Sequence, residues 1–94
     1  MTAGVEVRRV GQGRFDVVVR ERSTETRHSV TMSEQNFAWL AGDTGATPEA
    51  LLSAVFAFLL EREPKESILA RFDVAMITRY FPEFEREIRR YIGK

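Results

Sequence analysis

Cysteine is absent from this 94-residue chain, and histidine occurs once. Without thiols there is neither a disulfide nor a thiolate metal centre, so the fold must hold without cross-links, and a reducing cytoplasm is the expected compartment. A single imidazole cannot supply the converging ligands or bases of the usual zinc sites and nucleophilic triads. Charge of one sign is lacking too: 14 Lys and Arg balance 14 Asp and Glu. A strong nucleic-acid binder carries a bolder basic excess, so nucleic acid is a possible but not a favoured partner. The longest near-apolar run, Ala50 to Leu60, is too short to cross a bilayer. The opening Met1-Thr2-Ala3-Gly4-Val5-Glu6 has no apolar segment of signal-peptide type, so no membrane association is expected. Gly11-Gln12-Gly13 lacks the third glycine and the following helix of a dinucleotide fingerprint and reads as a hairpin loop. No cofactor and no metal are expected.

What is present points to one small packed domain over 1–94. Hydrophobic residues make up 44%, and seven Phe, two Tyr and one Trp give ample surface to bury. The charge is unevenly spread: residues 1–32 and 79–94 are basic, and 33–78 acidic.

The early chain alternates apolar and polar residues with the period of half-buried strands. Val5 and Val7, then Phe15, Val17 and Val19, then His28, Val30 and Met32 fall on one face each, with turns near Gly11-Gln12-Gly13 and Ser23-Thr24. Helix signals follow. Ser33 is a cap, with Met32 and Phe37 at staple spacing, and Gly42 is a stop. Thr47 caps the next helix, and Pro48 takes its first position. From Ala50 to Leu60 only Ser53 is polar, and a helix apolar nearly all round is buried on most sides. Ser67 to Arg71 reads as a short helical turn, Asp73 as a cap, and 82–92 as a last helix with Phe84 and Ile88 in its stripe. The spacing therefore predicts an α+β fold: a three-stranded antiparallel β-meander followed by about four helices, with helix 48–60 central. The expected core includes Phe15, Val17, Val19, Val30, Phe37, Leu51, Leu52, Val55, Phe56, Leu59, Ile68, Phe72, Ile77, Phe84 and Ile88.

Catalytic apparatus is not recognisable, and the chain is not expected to be an enzyme. An active site would have to gather at least two of His28, Glu61, Glu66 and Asp73 in one concave pocket. His28 reads instead as a sheet-edge histidine with one hydrogen bond. Glu83 and Glu87 stand one turn apart, but Arg79 and Arg89 lie at ion-pair spacing from Glu83 and Glu85, so this is a solvated face. Arg86, Arg89 and Arg90 place cations near a helix C-terminus. Aromatic residues interleaved with arginine in 71–90 form a candidate protein-binding surface made of Arg71, Arg79, Tyr80, Phe81, Arg86 and Arg90.

Two resemblances can be drawn. Residues 27–60, with strand Arg27 to Met32, Phe37 and Leu40, then Thr47-Pro48-Glu49 and the apolar helix, resemble a ribbon-helix-helix pattern. That likeness implies a homodimer whose paired strands enter the DNA major groove, with Arg27, Ser29 and Thr31 as the DNA-binding residues. The run Leu59-Leu60-Glu61-Arg62-Glu63-Pro64-Lys65-Glu66-Ser67-Ile68-Leu69, then Arg71-Phe72-Asp73 and Arg79-Tyr80-Phe81-Pro82-Glu83-Phe84-Glu85, resembles a small family of bacterial proteins of uncharacterised activity. The leading expectation is a bacterial, non-catalytic protein-interaction or regulatory module with an unknown protein partner. The alternative is a dimeric ribbon-helix-helix-like DNA-binding regulator.

Overall fold

A computed structural model describes residues 4–92. Strands β1 (Gly4–Gly11), β2 (Arg14–Glu21) and β3 (Thr24–Thr31) form the antiparallel meander that the alternation predicts. Gly13 sits at φ 68° in the first turn, and a Cβ there would come within 2.9 Å of the Met32 carbonyl oxygen. The inward positions of β2 and β3, namely Phe15, Val17, Val19, His28 and Val30, are all buried. Their neighbours Asp16, Arg20, Arg27, Ser29 and Thr31 face solvent, the pattern of a sheet covered on one side only.

Helix α1 (Glu34–Ala41) begins at Ser33, whose hydroxyl accepts from the Asn36 amide at 3.0 Å. Helix α2 (Pro48–Leu60) begins at Thr47, which accepts from the Ala50 amide at 3.1 Å. Both caps lie where the sequence places them. In α2 the side chains of Leu51, Leu52, Val55, Phe56 and Phe58 are wholly buried. Two residues along a helix turn through about 200°, so Phe56 and Phe58 must point to opposite sides. Phe56 meets His28 and Phe72 on the sheet side, with ring centroids 5.3 and 6.0 Å away. Phe58 meets Phe81, Phe84 and Tyr91 on the other side, at 5.8, 5.1 and 5.7 Å. Helix α2 is therefore the rod between two layers.

The structure corrects the fold in two places. The sheet has a fourth strand among the described residues, β4 (Arg71–Asp73), which pairs parallel to β3 through Ser29–Arg71, Val30–Phe72 and Thr31–Asp73. It follows a 3-10 turn at Lys65–Ser67, so the helical turn expected over 67–71 ends early and gives way to extended chain. Three residues are too few to show a strand period. A parallel partner also needs a long crossover, here the segment holding α1 and α2. Asp73 does cap, accepting from the Ala75 amide at 2.9 Å, and the chain turns through Val74–Met76 into α3 (Ile77–Tyr80). The second correction concerns the last helix. Instead of one rod over 82–92 there is a short α4 (Phe84–Glu87) and a 3-10 turn, Ile88–Arg90. Phe84 and Ile88 are wholly buried as expected, whereas Phe37 is only half-buried.

A four-residue helix does not hold itself. Arg62, just past the end of α2, holds this one. Its guanidinium stacks on the Phe58 ring at 3.6 Å and donates to the Phe58 carbonyl at 3.1 Å. It also donates to Glu83 at 3.1 Å and Glu87 at 3.2 Å. The Tyr91 hydroxyl accepts from Arg62 at 3.4 Å and donates to Glu61 at 2.6 Å. Glu83 thus pairs with Arg62 rather than with Arg79.

Replacing Phe56 by Ala should cost about 3–5 kcal/mol in denaturant unfolding, because it empties the contact between rod and sheet. An unchanged unfolding midpoint would show that α2 is not the centre of the core. Replacing Arg62 by Ala should cost about 2 kcal/mol. It should also strip amide hydrogen-exchange protection from 84–90 while leaving that of β2 and β3 high. Equal protection in both variant and parent would refute the tethering role.

Candidate functional site

Burial separates framework residues from residues available to a partner. His28 belongs to the framework. It is buried in an interior strand, not at a sheet edge, and it makes two hydrogen bonds rather than one. The Leu69 carbonyl can only accept, so Nδ1 carries the proton and donates across 2.8 Å. Nε2 is hydrogen-bonded to the Thr26 hydroxyl, also at 2.8 Å. Beside it the Ser29 amide donates to the Ala70 carbonyl at 2.7 Å, so residues 69–70 are latched to β3 just ahead of β4.

The other groups that catalysis would need are dispersed. Glu61 accepts from Tyr91, Glu66 is 2.7 Å from the Lys65 ammonium, and Asp73 accepts from Thr31 at 2.6 Å. Lys65 is buried and also reaches Glu21 at 3.4 Å, which ties the β2–β3 turn to the 3-10 turn at 65–67. The Lys65 ammonium, helped by the Glu66 backbone amide, holds the Glu66 carboxyl below the ordinary carboxylate range. Among the described residues no three His, Asp or Glu side chains gather as a metal site, and no helix is long and apolar enough to cross a membrane.

The six residues of the expected protein-binding surface divide between separate places. Tyr80 and Phe81 line an apolar groove of about 140 Å³. Arg79, one residue from Tyr80, lines a different depression together with Trp39. Arg86 lies in the adjoining depression, again beside Trp39. Arg71 stands on the open face of the sheet with Ser29 and Thr31. Arg90 is exposed and lines none of these places. Arg89 spans to α1 instead, donating to the Trp39 and Leu40 carbonyls at 3.1 and 3.4 Å as a C-terminal cap. Gly42, at φ 55°, leaves room for that guanidinium, which a Cβ would meet at 2.6 Å.

Of the residues expected to face DNA, Arg27 pairs with Glu25 at 2.9 Å, and Thr31 donates to Asp73. Ser29 and Thr31 are exposed on the open face of the sheet. Strand β3 has neighbours on both sides over 29–31. β2 occupies one edge along its full length, and β4 occupies the other at 29–31.

The apolar groove has a floor of Leu59, Ile68, Phe72 and Ile77. At its rim Leu69 remains 47% exposed and Tyr80 63% exposed. Neither Leu69 nor the exposed Trp39, 56% accessible, was singled out by spacing. Trp39 lies off the Phe37, Leu40 and Ala41 face of α1, the one sign in the sequence that it points outward. One acid, Glu63, joins the groove lining. Burial beside apolar side chains pushes its carboxyl above the ordinary value of 4.5. A raised carboxyl pKa means that ionisation disfavours the fold. The penalty is absent below pH 4.5 and grows as pH rises through the folded-state value. Glu63→Gln should therefore raise the melting temperature at pH 7, and the gain over the parent should vanish near pH 4. A gain that persists at pH 4, or a loss at pH 7, would contradict this account.

Set against known proteins, the chain matches no family model, no curated protein and no solved structure.

Proposed function

We propose that this chain is a non-catalytic protein-interaction module that receives its partner in the groove between the end of α2, residues 68–72 and α3. The observation that carries this reading is a concave apolar site with Leu69 and Tyr80 exposed at its rim. Large apolar side chains left in water around a cavity carry a free-energy cost that is relieved when something covers them, and aromatic residues are enriched where proteins meet. The volume is close to that of engineered cavities of roughly 150 Å³, which take up a benzene ring. The groove thus suits one large apolar side chain as an anchor rather than a whole helix face.

The exposed Trp39 with Arg79 and Arg86 supplies residue types common at binding hot spots. It is a second, separate surface, with Glu85 beside these arginines in its lining. The DNA-binding alternative is less favoured, because it requires an intermolecular ribbon through 26–31, where β2 pairs with the whole strand and β4 pairs with 29–31.

Selection of a displayed random peptide library on the protein should enrich ligands that carry a large apolar residue. A double variant, Leu69→Ser with Tyr80→Ala, should lose these ligands while its circular dichroism spectrum and melting temperature stay near those of the parent. Ligands retained in full by that variant would place the binding surface elsewhere.

A further inference from the structure

Glu63 differs from the glutamates around it. In the connection after α2, Glu61 is bonded to Tyr91 and Glu66 to Lys65. Across the C-terminal layer, Glu83 and Glu87 are both held by Arg62. Glu63 has neither a hydrogen-bond donor nor a cation among the described residues, and it is the half-buried one that borders the groove. The groove lining contains no lysine or arginine. A carboxylate placed so has given up part of its water and gained nothing in exchange.

This constrains what can close the groove. A purely apolar occupant would remove more water from Glu63 and add to the cost of its charge. A second anion would add repulsion. An occupant with a cation next to its apolar anchor offsets the desolvation that its own docking causes. We infer that the groove seats a partner protein through one large apolar side chain with a lysine or arginine beside it in the partner's chain, the cation pairing with the Glu63 carboxylate. The inference rests on the protein-binding reading above and gives it a ligand chemistry. The raised carboxyl pKa agrees with this placement, since it records the same uncompensated burial.

The test uses the full chain and three acetylated, amidated pentapeptides with a central leucine flanked by lysines, by glutamines or by glutamates. Affinities are read from amide shifts at Leu59, Ile68, Leu69 and Ile77 in low salt at pH 7. The lysine peptide should bind about three- to tenfold more tightly than the glutamine peptide, with the glutamate peptide weakest. In Glu63→Gln, which keeps size and shape, the lysine and glutamine peptides should bind within a factor of about two of each other. Equal affinity for these two peptides in the parent would overturn the role of Glu63 and leave the groove as an apolar site. Absence of groove shifts with every peptide would overturn the inference together with the protein-binding reading. A dimer in light scattering that Leu69→Ser dissolves would overturn it by making a second copy of the chain the occupant.

Discussion

An α-helix with apolar side chains on every face cannot rest on a surface; it has to be enclosed. Helix α2 sets this requirement, and the rest of the architecture answers it. The sheet covers the Phe56 side and the C-terminal helical turns cover the Phe58 side. Neither layer is thick enough to be stable alone. The sheet is wet on its outer face, and α3 and α4 have four residues each. Each layer gains its stability from burying α2, and α2 from being buried, so the three parts depend on one another.

Polar contacts then decide where the layers sit. Arg62 closes the end of α2 and fixes the C-terminal layer through Glu83, Glu87 and Tyr91. Arg89 fixes the same layer to the end of α1. His28 does the corresponding work for the sheet, holding Leu69 so that β4 can lie against β3. In all three cases the side chain satisfies backbone carbonyls that a helix end or an incomplete ladder leaves open. Charges that read as a solvated face in the sequence are therefore partly the joints between layers.

The groove is a consequence of how those layers meet. The segment 68–72 must cross from the end of α2 to the sheet, and α3 must turn back from it. Between them a strip of apolar surface is left incompletely covered. Glu63 lies at that strip because the connection after α2 passes it, with Arg62 drawn to the C-terminal layer and Lys65 to Glu21. Both of these cations are committed elsewhere, and no lysine or arginine lines the groove beside Glu63.

Local patterns in the sequence determined a good deal by themselves. Alternation in 5–32 is a property of successive side chains, so the three-stranded meander and its buried face were legible. Ser33, Thr47 and Pro48 act on amides within one turn, so the starts of α1 and α2 were legible too. The near-total apolarity of 50–60 announced a central rod without any knowledge of what surrounds it. What the tertiary structure alone decided involves partners far apart in the chain. The parallel pairing of 71–73 with 29–31, the bond from His28 to Leu69, and the reach of Arg62 to Glu87 have no local signature. The groove belongs to the same class. Tyr80 and Phe81 were visible as aromatic residues, but whether aromatic residues in 71–90 join the core or face water depends on which layer reaches them. Burial is a property of the assembled layers, and no stretch of sequence contains it.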